Sequence, residues 1–223
     1  MTGRQLDAVV FDVNETLFSL QWLRPAFTQT GLDPAQVPLW FARLLRDGFA
    51  LAAMGGYATF ADLAADALRS LAPDRVDDTV VADVLAAFQE LDPHPDVRPA
   101  LELLRDADIP AVTLTNGGVE LVQGLLGRAG LSGLVDRCLS VDAVHRWKPA
   151  AAPYQHAATE LGTTPSRLAL VAAHPWDCAG AHAAGLRAGW VNRTGDPWPH
   201  VFPAADVSGA DLPAVVTALL AAR

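Results

Sequence analysis

The stretch formed by residues 8–17, AVVFDVNETL, constrains the fold of this chain more than any other feature of its sequence. The run from Ala8 to Phe11 is apolar on both faces, which is typical of a buried strand in a parallel sheet. Asp12 follows directly, and ligands of open α/β sheets bind beyond the carboxyl ends of the strands. A carboxylate placed there can act as a nucleophile that forms an ester intermediate. Aspartate also caps turns and helices readily, and this stretch alone leaves that interpretation equally open.

The segment after this strand is helical in character. Between residues 18 and 94 the apolar residues recur about every three or four positions, with breaks near Gly31, Gly55 and Pro73. Because this pattern shows little strand character, we interpret residues 18–94 as a helical cap inserted after the first strand.

The remainder of the chain alternates between helix and strand. The predicted strands are 110–114, 137–140, 168–173 and 188–192. The predicted helices are 97–106, 119–129, 154–161 and 177–184. Strands separated by helices of this length form a parallel sheet that is covered on both faces. Residues 1–17 and 95–223 are therefore predicted to form one doubly wound, Rossmann-like α/β core.

Composition argues against several classes of protein. Although 51% of the 223 residues are hydrophobic, no window reaches the roughly 18 uninterrupted apolar residues that a membrane span needs. A formal net charge of −9 argues against a nucleic acid or an anionic membrane as the partner. Cys138 and Cys178 form neither a disulfide framework nor a zinc set. The first residues lack the pattern of a secretion signal, so we expect a cytoplasmic protein.

Side chains that can take part in catalysis follow several predicted strands and would share one edge of the sheet. They are Asp12, Thr115 with Asn116, Lys148 and Asp177. Each of them alone has a structural interpretation, because such residues also form turns, surface loops and helix caps. Together they place a candidate nucleophile, a hydroxyl beside an amide, a cation and a second carboxylate at one edge. This combination favours a catalytic site.

These residues lie in four motifs. The motifs are FDVNETL at 11–17, LTNGG at 114–118, RWKP at 146–149 and AAHPWDCAGA at 172–181. In this order, with an insertion after the first, they resemble the haloacid dehalogenase superfamily, and within it the L-2-haloacid dehalogenase (type II) branch. The similarity continues through SVDAVHRWKPAAAPY and GLRAGWVNRTG and is weak in the helical cap. The resemblance implies a hydrolase that converts short 2-haloalkanoic acids to 2-hydroxy acids.

Two positions differ from the phosphatases of this superfamily and favour the dehalogenase branch. Asn14 stands where those phosphatases have a second acid, and an amide cannot protonate a leaving oxygen. Ala173 stands at their principal Mg²⁺ ligand position, which leaves Asp177 alone for a cation that prefers several carboxylates. Halide leaves carbon as an anion and needs no proton, so dehalogenation can proceed without either part. We therefore expect no metal and no cofactor.

The resemblance implies a role for each candidate catalytic residue. Asp12 attacks the halogen-bearing carbon and forms an aspartyl ester, and Asp177 activates the water that hydrolyses this ester. Lys148 keeps Asp12 ionised, because a nearby opposite charge favours the carboxylate form. Thr16 holds the nucleophile by a hydrogen bond.

A second set of residues is expected to bind the substrate. Thr115, with the backbone N–H groups around Val13 and Asn14, resembles the family's cradle for the substrate carboxylate. Asn116 matches the family residue that contacts the departing halide. Tyr154 matches a further polar position, although on a helix it could equally be a core tyrosine.

The dehalogenase pattern is incomplete in the pocket and in the cap. Asn14 also stands where the family has a tyrosine, which makes the predicted pocket smaller and more polar. Phe41 follows the cap residue Trp40, where the family often has an arginine that cradles the halide. Other arginines of the cap could replace it, and the sequence does not place them: Arg24, Arg43 and Arg46.

The last motif departs from the family as well. Ala172 and His174 stand where the family has serine and asparagine. His174 could bond the hydrolytic water or stabilise a leaving halide such as fluoride, because an imidazolium is a better donor than an amide. It could equally satisfy a backbone carbonyl beside Trp176. We expect Trp176 to pack or to form the pocket wall.

The resemblance also implies a small haloacid as the substrate and a homodimer as the assembly. Two other functions stay open: a Mg²⁺-dependent phosphatase of the same superfamily, and a non-catalytic binding protein on the same fold. Retention of Asp12, Lys148 and Asp177 argues against the binding protein.

Overall fold

A six-stranded parallel sheet forms the centre of the computed structural model, which describes residues 6–222. Its strands are β1 (Ala8–Phe11), β2 (Ala111–Thr115), β3 (Arg137–Ser140), β4 (Leu168–Ala172), β5 (Arg187–Val191) and β6 (Val207–Gly209). They lie in the order β3-β2-β1-β4-β5-β6, and each neighbouring pair is parallel. Since β1 is an inner strand between β2 and β4, the chain that follows it leaves from the middle of the sheet.

Helices precede, connect and follow these strands. They are α1 (Arg24–Gln29), α2 (Val37–Met54), α3 (Phe60–Leu71), α4 (Asp78–Ala86), α5 (Val97–Asp106), α6 (Val119–Arg128), α7 (Ala151–Glu160), α8 (Pro175–Ala183) and α9 (Leu212–Ala221). Within residues 6–222, none of the helices combines the length and the apolar character that a membrane crossing requires.

The two faces of the sheet are covered by different helices. In β1, the side chains of Val9 and Phe11 belong to a core that includes residues of α5, α6 and α9. Ala8 and Val10 point to the other face, where residues of α7 and α8 pack. Successive side chains of a strand point to opposite faces, so an all-apolar strand needs two cores. The predicted doubly wound α/β fold is confirmed.

The predicted elements after residue 95 are confirmed, with small shifts at their ends. The helix predicted from 154 begins at Ala151, and the helix predicted from 177 begins at Pro175. In α8 the proline stands in the first turn, where its missing N–H costs no hydrogen bond. The sequence patterns do not predict β6 and α9.

Helices α1 to α4 belong to residues 18–94, which we call the inserted segment. In this segment Trp40 on α2 donates its ring N–H to the carbonyl of Ala64 on α3 at 2.9 Å. The α2 helix ends where Gly55 adopts a left-handed conformation with φ of 79°, which glycine tolerates without strain. Thr59 and Asp62 form a capping box that begins α3.

The two connections between the inserted segment and the rest of the chain run side by side. The backbone N–H of Ser19 donates to the carbonyl of Asp92 at 3.3 Å. In the other direction, the N–H of His94 donates to the carbonyl of Leu17 at 2.9 Å. The chain therefore leaves and re-enters the α/β core next to the end of β1.

Candidate active site

The carboxylate of Asp12 lies just beyond the carboxyl end of β1 and is almost completely buried. Its backbone N–H donates to the carbonyl of Val171 on β4 at 3.0 Å, so Asp12 continues the sheet and caps no helix in residues 6–222. The Thr16 hydroxyl donates to Oδ2 at 2.7 Å, and Nδ1 of His174 lies 3.1 Å from the same oxygen. The ammonium of Lys148 donates to Oδ1 at 2.9 Å. Both carboxylate oxygens are thus held in place.

Lys148, the only lysine in the sequence, is fully buried at this edge of the sheet. Besides Asp12, its ammonium donates to Oδ2 of Asp177 at 2.6 Å and to the carbonyl of Leu114 at 2.9 Å. The backbone N–H of Lys148 donates to Oδ1 of Asn116 at 3.0 Å, which fixes the main chain here. A buried charge is costly unless it is paired, and all three ammonium donors have partners.

Asp177 lies in the first turn of α8 and is fully buried. The Tyr154 hydroxyl on α7 donates to its Oδ1 at 2.6 Å, while Lys148 occupies its Oδ2. The N-cap of α8 is His174, so the interpretation of Asp177 as a helix cap is wrong. Because Lys148 bonds both acids, it sets the carboxylates of Asp12 and Asp177 next to each other.

The two carboxylates differ in their pKa shifts. Burial alone would raise the pKa of Asp12, but the Lys148 charge and the contact with His174 hold it well below its ordinary value. Burial also raises the pKa of Asp177; Lys148 opposes this increase, the Asp12 charge adds to it, and the pKa ends above its ordinary value. Burial lowers the pKa of Lys148, but the two carboxylates outweigh burial and raise it. Carboxylates whose pKa values are driven apart can serve as a nucleophile and a base.

The residues expected to bind the substrate lie at the same edge of the sheet. Val13 and Asn14 follow the nucleophile and are buried. Thr115 ends β2, and its hydroxyl oxygen accepts the backbone N–H of Gly117 at 2.9 Å. Asn116 follows it and is buried as well. The structure brings these residues together beyond β1 and β2, and their contacts with a substrate stay predictions.

His174 and Trp176 form a wall beside the nucleophile. Their rings stack with centroids 5.2 Å apart and planes inclined by 28°. From α2, Phe41 lies 6.0 Å from the His174 ring and Phe49 lies 4.8 Å from the Trp176 ring. Within the described chain, the hydrogen-bond partner of the His174 ring is Asp12, so the alternative that the ring satisfies a backbone carbonyl is wrong.

A cavity of about 440 Å³ borders His174. Its lining includes His174, Phe41 and Arg24, together with apolar side chains of α2. Of the three arginines considered as replacements at position 41, only Arg24 lines this cavity, and it also donates to the carbonyl of Pro34 at 3.3 Å. Arg24 is therefore the arginine of this set that shares a cavity with His174.

Arg193, to which the sequence patterns assign no role, fixes the loop that follows the nucleophile. Its guanidinium donates twice to the carbonyl of Thr16, at 3.2 and 2.6 Å, and once to Oδ2 of Asp96 at 3.0 Å. The same Asp96 oxygen accepts the N–H of Leu212 on α9. The Thr16 hydroxyl accepts the backbone N–H of Ala173 at 2.9 Å. Arg193 lies within the GLRAGWVNRTG stretch that resembles the family, and this stretch is the sequence signal that points to the residue.

Trp147 joins the inserted segment to the residue next to Lys148. It is fully buried, and its ring N–H donates to the carbonyl of Ala58 at 2.9 Å. Its ring stacks on Phe60, with centroids 6.1 Å apart and planes inclined by 8°. Gly48 on α2 allows this packing, because a Cβ at that position would lie 2.6 Å from the Trp147 ring. Docking of the inserted segment and placement of the ammonium are thus linked through one tryptophan.

Comparisons with known proteins agree with this geometry. A family model described as haloacid dehalogenase-like hydrolase matches residues 6–185. The (S)-2-haloacid dehalogenase 1 of Pseudomonas sp. (strain CBS-3) is 31% identical over 202 residues, which cover 87% of this chain and 88% of that protein. The (S)-2-haloacid dehalogenase 4A of Burkholderia cepacia is also 31% identical over 202 residues, covering 88% of this chain and 87% of that protein.

Solved structures show the same likeness. The L-2-haloacid dehalogenase from Xanthobacter autotrophicus with chloropropionic acid covalently bound superimposes with a TM-score of 0.87 at 26% identity, over 96% of this chain and 98% of that one. A defluorinating L-2-haloacid dehalogenase superimposes with a TM-score of 0.80 at 26% identity, over 98% of this chain and 96% of that one.

Proposed function

This chain belongs to the haloacid dehalogenase-like hydrolase family, and we propose that it hydrolyses the carbon–halogen bond of short 2-haloalkanoic acids to give 2-hydroxy acids. The relatives named (S)-2-haloacid dehalogenase, which align with most of this chain, support this activity. The observation that carries the proposal is the position of Lys148, whose ammonium bonds Asp12 and Asp177 at 2.9 and 2.6 Å. It joins an ionised carboxylate to a second acid with a raised pKa.

The proposed reaction has two displacements. In the first, Asp12 attacks the halogen-bearing carbon, the carbon–halogen bond breaks, and halide leaves with the electron pair. In the second, Asp177 takes a proton from a water that attacks the carbonyl carbon of the resulting ester. Lys148 compensates charge in both steps. Tyr154 and Thr16 hold the two carboxylates in place, because the hydroxyl of each donates a hydrogen bond to one of them.

We propose that this reaction proceeds without a metal. Within residues 6–222 no group of three or more His, Cys, Asp and Glu side chains is arranged to hold a metal ion. Lys148 supplies the positive charge between the two carboxylates. A family phosphatase would need a cation to neutralise its substrate, so the response to a chelator separates the two functions.

Several further assignments are part of the same proposal. The inserted segment, residues 18–94, would act as a cap that shields the ester from bulk water, and residues 1–17 and 95–223 would form the catalytic core. Val13, Asn14 and Thr115 would bind the substrate carboxylate, Asn116 the halide, and Trp176 would form the pocket wall. A homodimer and a cytoplasmic location complete the proposal, and the molar mass in solution tests the dimer.

The test compares Asp12→Asn with Asp177→Asn on chloro-, bromo- and fluoroacetate, with and without chelator. We expect wild-type protein to release halide equally well in both conditions. Asp12→Asn removes the nucleophile and should abolish halide release. Asp177→Asn should release one halide per site and then stall, with a substrate-derived mass increase on the intact protein. Asp108→Asn is the matched control, because Asp108 is exposed and asparagine tolerates its φ of 55°.

Equal loss in both site variants without any adduct would contradict the two-step reaction. Activity on a phosphate ester that is lost with chelator would favour the phosphatase instead. Failure of the wild type to release halide from any of these acids, with no ester on Asp12, would favour a binding protein.

A further inference from the structure

The two oxygens of Asp12 have different surroundings. Oδ2 accepts the Thr16 hydroxyl at 2.7 Å and lies 3.1 Å from His174 Nδ1. Oδ1 lies 2.9 Å from the Lys148 ammonium, and no other side chain or backbone group within residues 6–222 donates to it. Each carboxylate oxygen offers about two lone-pair sites. Oδ2 therefore has both sites occupied, whereas Oδ1 keeps one site open.

We propose that Oδ1 of Asp12 bonds to the substrate carbon, and that His174 and Thr16 form the oxyanion hole for Oδ2 while the ester is hydrolysed. This inference rests on the proposed function and assigns a catalytic role to His174, which stands where the resemblance places an asparagine. Donors aimed at an oxygen that develops charge are a large source of catalysis when they are in place beforehand.

The electron balance follows from this assignment. When Oδ1 displaces halide, Oδ2 becomes the carbonyl oxygen of the ester. Water then attacks the side-chain carbonyl carbon of Asp12, one of its protons passes to Asp177, and Oδ2 receives the negative charge of the tetrahedral intermediate. The bond from that carbon to Oδ1 breaks next, and the departing alkoxide takes the proton from Asp177. The product is the 2-hydroxy acid, and Asp12 returns to a carboxylate after losing a proton.

Both side chains are assigned as donors to Oδ2 from their partners. An ionised carboxylate only accepts hydrogen bonds, so His174 carries a proton on Nδ1. The Thr16 oxygen already accepts the backbone N–H of Ala173 at 2.9 Å, which leaves its own proton for Asp12. Neither donor has to turn when the charge develops.

Two aromatic rings pack against the His174 ring. Trp176 stacks on it from the core, and Phe41 contacts it from the inserted segment. Only 18% of the His174 side chain is exposed. Fixed rings of this kind are preorganised, because they lose little freedom when the intermediate forms.

The experiment measures halide release and protein mass in the first turnover with bromoacetate. In His174→Ala we expect one equivalent of halide to be released at nearly the wild-type rate. Steady-state turnover should then be slower by about 10²- to 10³-fold, the usual loss when one oxyanion donor is removed. The ester adduct should accumulate on Asp12. Thr16→Val should act in the same direction.

Two further variants make the result specific. His174→Asn keeps a neutral donor and should accumulate less ester than His174→Ala; it also serves if the alanine variant does not fold. His182→Asn is the matched control, since His182 lies at the other end of α8 with 46% of its side chain exposed. It should match the wild type.

Two outcomes would overturn the proposal. The first is that the His174 variants turn over like the wild type; the second is that their initial halide release slows as much as turnover, without an adduct. A wild type that releases no halide would instead overturn the proposed function, and this inference with it.

Discussion

Lys148 is a buried ammonium that neutralises one of two adjacent carboxylates. Because its pKa is raised, its contribution to stability is fully present below the ordinary pKa of lysine, about 10.4, and is lost as the pH rises further. Breaking a buried ion pair by removing one partner is costly, since the other charge stays buried. Loss of Lys148 would therefore leave the buried carboxylates of Asp12 and Asp177 without their shared counter-ion, which destabilises the folded state.

Replacement of Lys148 by methionine tests this cost. We expect Lys148→Met to lower the free energy of unfolding by about 3–5 kcal/mol at pH 8 and to abolish halide release. The loss should be smaller at pH 5, because one of the two unpaired carboxylates can bind a proton there. Urea unfolding at both pH values measures the difference. Arg105→Met, which removes an exposed cation paired with Asp106, should change stability by less than about 1 kcal/mol.

The sequence predicts which side chains meet at the site better than it predicts their partners. Asp12, Lys148 and Asp177 lie where the ends of parallel strands predict them. The bond between His174 and Asp12 joins residues far apart in the chain, and no local pattern encodes it. The contact between Tyr154 and Asp177 is likewise not predictable from local sequence, because only the approach of α7 to α8 brings the Tyr154 hydroxyl to Asp177.

The close approach of α8 to α7 depends on Gly180. A Cβ at this position would lie 2.5 Å from the Cβ of Pro149 and 2.6 Å from the Tyr154 hydroxyl. Contacts this short cannot persist, so any larger residue must displace Pro149, the Tyr154 hydroxyl or the helix that carries Asp177. Gly180 thus helps to determine the geometry of the site through its packing against Pro149 and Tyr154.

We expect Gly180→Ala to lose about 1–3 kcal/mol of stability through overpacking. It should also slow hydrolysis of the ester, because the hydroxyl that holds Asp177 is displaced. Gly124→Ala on α6 is the matched control, since a Cβ there meets no atom within 4 Å. That variant should gain up to about 1 kcal/mol from helix propensity. Thermal unfolding compares them, and equal shifts would show that packing is not the cause.

Among the helices and strands, those with strong periodic signals are the ones that the sequence predicts. β1 and β4 are all-apolar runs, β2 is apolar apart from two threonines, and α5 has polar and apolar faces. In contrast, β6 has three residues, Val207 to Gly209, and only pairing with β5 makes them a strand. α9 is apolar around most of its circumference, so its sequence shows no clear helical face.

Arg193 bonds the two core residues that flank the inserted segment in the sequence, Thr16 and Asp96. This side chain bonds the carbonyl of Thr16, just before the first connection, and Asp96, just after the second. One guanidinium therefore links the two places where the core continues into the inserted segment. Its loss would free the loop of the nucleophile and both connections at once.

We expect Arg193→Met to lower the free energy of unfolding by about 1–3 kcal/mol, because Asp96 and the Thr16 carbonyl lose a donor. Amide hydrogen exchange should increase at residues 17–19 and 92–94 before it increases in β1. Turnover should fall as well, since Thr16 positions Asp12. Arg69→Met, which removes an exposed arginine paired with Asp78, should leave all three quantities unchanged. Hydrogen exchange that rises uniformly over the chain would show that Arg193 does not stabilise these connections locally.

The single buried lysine has a consequence for chemical modification. The other 15 of the 16 lysine and arginine residues are arginines, so a reagent that acylates side-chain amines has one target in this sequence. In this structure that amine is buried and bonded to three acceptors. The rate of covalent labelling at Lys148 would therefore report how often the site becomes exposed, because no surface side chain carries an amine that reacts with the reagent.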